Sequence, residues 1–171
     1  MKVSLVIENN STTTIELGYD NVATIVDNLV DNETNTPIFA LLAKHSSVNV
    51  RVAVASKDEL DESTVELLAN DPDASVTSNL VRTEMARKYL TTEKLTAMIA
   101  RNVDTAENIA DRVNAFISAD TDELANVLAL HSDPRVRQAL ANNSGVPSKI
   151  LKRLRNDSDS RVQVAAQENR R

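Results

Sequence analysis

Along residues 2–8, apolar and polar side chains nearly alternate. Val3, Leu5 and Ile7 are interleaved with Lys2, Ser4 and Glu8, and only Val6 breaks the order. A period of two puts one set of side chains on one face of a strand. Thr12, Thr13, Thr14 and Ile15 form a second β-branched run, and Asn9–Asn10–Ser11 between the runs has turn chemistry. The pattern predicts a β-hairpin ending at Gly18. A lone two-stranded hairpin is marginal in water, so it is expected to pack on helices or pair with another strand.

From Asp20 onward the period becomes helical. Val22, Ile25, Val26, Leu29 and Val30 follow i, i+3, i+4, i+7, i+8 spacing. Short apolar-faced segments then recur, separated by Asp, Ser, Asn and Pro, which predicts many short helices rather than one long coiled coil. These segments repeat. Residues 42–55 read LAKHSSVNVRVAVA and residues 128–141 read LALHSDPRVRQALA, an offset of 86 residues from His45 to His131. Leu68, Asn70, Asp71, Asp73 and Val76 match Leu154, Asn156, Asp157, Asp159 and Val162 at the same offset. The matching blocks are 20–81 and 107–167. A shorter step lies inside the long one, since Val50 to Val76 and Val136 to Val162 are each 26 residues.

Three residues before these valines stand Ser47, Asp73, Asp133 and Asp159, all favoured N-caps. Pro134 follows Asp133 at the first helical position, where its missing N–H costs nothing. A second helix is predicted in each unit from Leu60/Val65/Leu68, Leu90/Leu95/Met98 and Val146/Leu151/Leu154, which share spacings of five and three. Ser63–Thr64–Val65–Glu66 reads as a capping box at one such start, and Pro147 holds a similar place at another. Stacked units of this kind bury one another's apolar faces.

The strings LLAKHSSVNVRVAVA and HSDPRVRQALANNSGVPSKILKRLRNDSDSRVQVAA resemble the variant leucine-rich repeat and, more broadly, the HEAT-like helical repeats. The likeness is best over 128–166 and fair over 42–80, while residues 81–107 depart from it. The resemblance implies a mainly α chain, a short α-solenoid of paired helices over 19–171, with the hairpin of residues 1–18 packed on it. It implies no single activity. It also implies that Arg51 and Arg137 reach acidic caps of adjacent units, with Asp71, Asp73, Asp157 and Asp159 as acceptors.

Composition narrows the chemistry. With only Gly18 and Gly145, neither a dinucleotide fingerprint nor a P-loop can be written. The absence of cysteine removes disulfides, thiolate catalysis and cysteine-based metal sites. His45 and His131 hold the same repeat position, too far apart along a stack to share an ion, and are expected to cap helix ends. Calcium loops beginning at Asp31 or Asp120 fail, because Leu42 and His131 stand where a glutamate is required. The acidic run Asp58–Glu59–Leu60–Asp61–Glu62 is expected to favour the next helix N-terminus. No metal, cofactor or catalytic residue is assigned. No apolar run approaches a membrane span, and the short apolar start ending at Glu8 does not suit a signal peptide, so a cytoplasmic location is expected.

The net charge of −6 conceals an asymmetry. Residues 134–171 hold nine basic residues against three acidic ones, net +6, which leaves −12 for residues 1–133. The expected partner-binding residues are therefore Arg135, Lys149, Lys152, Arg153, Arg155 and Arg161, facing an acidic protein partner. The expected function is a non-enzymatic interaction scaffold or adaptor. The alternative is a nucleic-acid-binding HEAT-like stack of the DNA-glycosylase kind, against which the acidic majority and the lack of aromatics after Phe116 both argue. The hairpin edge offers a route to self-association.

Overall fold

The computed structural model describes residues 1–9 and 11–169, so Arg170 and Arg171 of the basic segment and the turn residue Asn10 lie outside the described residues. Strands β1 (Ser4–Asn9) and β2 (Ser11–Glu16) pair antiparallel. Twelve α-helices follow among the described residues: α1 (Tyr19–Asn28), α2 (Thr36–Leu42), α3 (Val48–Ala55), α4 (Glu62–Ala69), α5 (Ala74–Leu80), α6 (Glu84–Tyr89), α7 (Thr92–Arg101), α8 (Val103–Asp111), α9 (Thr121–Ala129), α10 (Pro134–Asn142), α11 (Ser148–Leu154) and α12 (Ser160–Glu168). A 3₁₀ turn at Val113–Ala115 precedes α9. None of these helices is long and apolar enough to cross a membrane.

The helices form two rows. In one, α1, α3, α5, α8, α10 and α12 each pack on the next. In the other, α2 packs on α4, α4 on α6, α7 on α9, and α9 on α11. Helices of the first row share a burial pattern at i, i+4 and i+5: Val50/Val54/Ala55, Val76/Leu80/Val81, Thr105/Ile109/Ala110 and Val136/Leu140/Ala141. Alanine at the last position in three of the four (Ala55, Ala110 and Ala141) leaves room for close approach of a neighbour, and Val81 takes that place after α5. Each large apolar side chain removed from water contributes roughly 1.5–3 kcal/mol.

The region 81–107 breaks the apparent period for a physical reason. Two helices, α6 and α7, stand between α5 and α8, and the valine position of α8 is taken by Thr105. Thr105 is buried, and its hydroxyl lies 2.7 Å from that of buried Thr77 on α5. A polar pair thus replaces an apolar contact at this joint, with Ser78 Oγ 3.2 Å from Thr105 Oγ1.

The second helices are started by a buried anchor in the preceding loop. Leu60, Leu90 and Val146 each sit one residue before the N-cap of α4, α7 and α11. Each is buried in the same core as the residue at the fourth helical position, Val65, Leu95 or Leu151. This is the placement of a hydrophobic staple, which fixes the angle at which the chain enters a helix. The shared spacing of five is therefore a loop-to-helix distance rather than one within a helix.

Several expectations are corrected. Helix α1 stops at Asn28, because Leu29 turns to extended backbone, and Ile25 and Val30 are exposed. The capping box at Ser63 does not form. Asp61 caps α4 instead, its Oδ1 accepting from the Thr64 N–H at 2.7 Å and from the Ser63 hydroxyl at 2.8 Å. Those two bonds hold the Asp61 carboxyl below its ordinary range even though partial burial acts the other way. Ser47 occupies the N-cap position of α3 without a side-chain cap bond, whereas Asp73, Asp133 and Asp159 each accept from the N–H two residues on. Gly18 lies beyond the strands, at the N-cap position of α1.

Candidate interaction surfaces

The two matched sequence blocks build the same local structure around an arginine. Arg51 on α3 forks onto Asp71, with Nε to Oδ2 at 2.6 Å and the second guanidinium nitrogen to Oδ1 at 3.1 Å. Its remaining nitrogen donates to the His45 and Ser46 carbonyls at 3.0 and 3.2 Å. Arg137 on α10 does the same with Asp157, at 2.8 Å for both bonds, and with the His131 and Ser132 carbonyls at 2.7 and 3.0 Å. Asp71 and Asp157 also accept the backbone N–H of Asp73 and Asp159 at 2.9 Å. One planar fork therefore joins a helix, the loop before it and the loop that leads into the next helix of the first row. Of the four acceptors named from sequence, Asp71 and Asp157 hold the arginines and Asp73 and Asp159 cap helices.

The histidines do not cap carbonyls. Nδ1 of His45 accepts from the Ser47 N–H, and Nδ1 of His131 from the Asp133 N–H, each at 3.1 Å. Each ring therefore shapes the turn that leads into the next helix of the first row. Burial, reinforced by nearby positive charge, lowers the His45 pKa from its ordinary value, and the ring meets Tyr19 edge-on with centroids 5.2 Å apart. Among the described residues, no three histidine or carboxylate side chains converge as metal ligands.

A second device went unread in the sequence. A side chain just past a first-row helix reaches back to carbonyls at the end of the helix before it. Lys57 Nζ donates to the Asp27 and Leu29 carbonyls at 3.1 and 3.0 Å. Asn143 donates to those of Ala110 and Asp111 at 3.0 and 2.9 Å, and Asn169 to those of Ala141 and Asn143 at 2.8 and 2.9 Å. Helix C-terminal carbonyls lack intrahelical partners, so these amides and one ammonium satisfy them across the joint. The signal was hidden because lysine and asparagine share no side-chain pattern, only a position. The acidic loops act similarly. Asp31 accepts from the Asp58 and Glu59 N–H groups at 2.7 and 2.8 Å, and Asp58 from the Glu84 N–H at 2.7 Å at the start of α6.

The six basic residues expected to form one surface are divided by the structure. Arg155 is turned inward, its Nε donating to the Ala166 carbonyl at 3.0 Å. Arg135 is paired with Asp133 at 3.3 Å, Asp104 at 3.4 Å and Glu107 at 3.9 Å. Arg161 pairs with Asp159 at 2.8 Å, and its side-chain hydrogen bonds bring the Asp159 carboxyl down to about 2. Lys149, Lys152 and Arg153 lie exposed on α11 while Ile150, Leu151 and Leu154 are buried beneath. These three cations have no ion-pair partner among the described residues.

On the first row, a groove of about 630 Å³ runs between α8 and α10. Asp104, Glu107 and Asp111 line one wall, Arg135, Gln138 and Asn142 the other, and Arg82 stands beside Asn108, to which it donates at 3.0 and 2.8 Å. Gln138 and Asn142 extend into a further groove against Arg161, Val164 and Glu168 of α12. Lys149, Lys152 and Arg153 line neither groove. No protein-family model, no curated protein and no solved structure matches this chain.

Proposed function

We propose that the chain is a non-enzymatic interaction scaffold, a short helical-repeat stack of the variant leucine-rich repeat or HEAT-like type, that holds an extended segment of a protein partner across α8, α10 and α12. The observation that carries this reading is the pair of Gln138 and Asn142. Their side-chain amides line both grooves and make no hydrogen bond within the described chain. A side-chain amide offers a donor and an acceptor together, which suits a peptide backbone. The mixed walls of acid and arginine suit a polar segment rather than a uniformly charged polymer. The basic triad of α11 supplies a second, acid-seeking contact in the other row.

The test is crosslinking of the intact protein in native lysate, with crosslinked residues mapped by mass spectrometry. Partner crosslinks are expected around α8–α12 and lost with Gln138→Arg and Asn142→Arg together. Reversal of Lys149, Lys152 and Arg153 to Glu reports separately on the α11 contact. Recovery unchanged by the groove pair would refute this face. Salt-dependent binding of labelled duplex DNA that the α11 reversal abolishes would favour the nucleic-acid alternative.

A further inference from the structure

The hairpin stands largely clear of the helical core. Among its described apolar side chains, only Val3 and Leu17 at its base pack there, while Leu5, Ile7 and Ile15 are 46%, 48% and 47% exposed. Leu5 lies opposite Ile15 and Ile7 opposite Thr13, so these residues share one face with Val3 and Leu17. The other face carries Ser4, Val6, Glu8, Thr12, Thr14 and Glu16, with Lys2 bridged to Glu16 at 2.9 Å. An apolar face on two strands alone is poorly supported in water.

The direction of the backbone bonds is fixed at the base, where the Leu17 N–H donates to the Val3 carbonyl at 2.9 Å. Alternation along an antiparallel ladder then turns odd-numbered residues of β1 toward β2. The N–H and C=O groups of Ser4, Val6 and Glu8 face the free edge. That edge has no proline and no bulge to protect it.

We propose that this edge pairs with the same edge of a second copy, antiparallel about Leu5. The sequence Lys2–Val3–Ser4–Leu5–Val6–Ile7–Glu8 is self-complementary in that register. Lys2 meets Glu8 of the second copy, Val3 meets Ile7, Ser4 meets Val6, and Leu5 meets itself. The even-numbered pairs supply the hydrogen bonds, in agreement with the direction fixed by Val3. Leu5–Leu5 falls at a narrow pair, where side chains approach most closely. Both charged positions meet their opposites and no like charges face each other. The β2 edge offers no such match, because Glu16 is its sole charged residue. Pairing β1 on β1 closes on a two-fold axis, whereas β1 on β2 leaves matching edges free and propagates. The result is a four-stranded sheet with Val3, Leu5, Ile7, Ile15 and Leu17 of each copy on one face.

Sedimentation velocity of the full chain is expected to show a concentration-dependent dimer. Leu5→Lys abolishes it while leaving the helical circular dichroism unchanged. Lys2→Glu or Glu8→Lys alone weakens the dimer by roughly tenfold, because two symmetric cross-strand pairs become repulsive, and the double exchange recovers part of the loss, the bridge from Lys2 to Glu16 within each hairpin staying broken. The protein has no cysteine, so Leu5→Cys can be oxidised alone. It crosslinks efficiently, and Ile15→Cys, equally exposed but one strand away, does not. A monomer at every concentration, a dimer that survives Leu5→Lys, or equal crosslinking at both cysteines overturns the proposal. So does a double exchange no better than the single ones.

Discussion

Replacing Arg137 by alanine is expected to destabilise the protein by about 2–4 kcal/mol at neutral pH. The estimate follows from what the side chain leaves behind. Its removal strands the Asp157 carboxylate and the carbonyls of His131 and Ser132, which together accept four hydrogen bonds from the guanidinium. Arg137 and Asp157 side chains are only 11% and 9% exposed, so water replaces those bonds poorly. The residual exposure, and the bond Asp157 keeps to the Asp159 N–H, place the loss below that of a fully buried pair. Lysine at 137 recovers little, because an ammonium cannot fork onto a carboxylate and two carbonyls at once.

The loss also carries a pH signature. The hydrogen bonds from Arg137 hold the Asp157 carboxyl below its usual value of 3.8. A depressed acid stabilises the fold fully above its unfolded pKa, and that stabilisation fades as pH falls through the folded value. The deficit of the alanine variant is therefore constant near neutrality and shrinks below about pH 4. Urea unfolding followed by circular dichroism at pH 7 and pH 3, with hydrogen exchange of α10 amides, measures both effects. Arg51→Ala serves as an internal replicate of the deficit at pH 7 alone, since Arg51 makes the equivalent four bonds. A deficit below about 1 kcal/mol, the value of a solvated ion pair, refutes the reasoning, as does a deficit equal at both pH values.

Thr105→Val is expected to cost about 1–2 kcal/mol by leaving the buried Thr77 hydroxyl without its closest partner, and Thr77→Val with Thr105→Val is expected to recover most of it. A double-mutant cycle on unfolding midpoints checks this, and additive losses would contradict it. Asn143→Ala removes two bonds to the end of α8 and is expected to cost about 1–3 kcal/mol. Its effect should concentrate on hydrogen exchange near Ala110 and Asp111, which a uniform change across the chain would disprove.

What the sequence determined is mostly what rests on local chemistry and on repetition. The switch from period two to helical spacing at Asp20 separated the hairpin from the helices, because side-chain periodicity follows directly from backbone geometry. The caps at Asp73, Asp133 and Asp159 were legible because the side chain and the N–H it satisfies are two residues apart. The offset of 86 residues marked Arg51 and Arg137 as equivalent, but their ion pairs were expected only from the resemblance to helical repeats, and the acceptors are Asp71 and Asp157 rather than the caps Asp73 and Asp159. Local pattern alone misplaced the start of α4, where Asp61 and Ser63 both make plausible caps and the burial of Leu60 selects the first.

Only the tertiary structure decided how the basic C-terminal segment is spent. Net charge counts Arg135, Arg155 and Arg161 with Lys149, Lys152 and Arg153, yet Arg135 and Arg155 are occupied by carboxylates or a carbonyl brought in by other elements, and Arg161 is held by Asp159, the cap of its own helix. Asp104 and Glu107 are about thirty residues from Arg135 along the chain, and the packing of α8 on α10 alone makes them neighbours. The same packing creates the groove lined by Gln138 and Asn142, and the joints closed by Lys57, Asn143 and Asn169. Each of these depends on which helix lies beside which, a choice set by the summed burial of two rows of apolar faces and carried by no single segment of the chain.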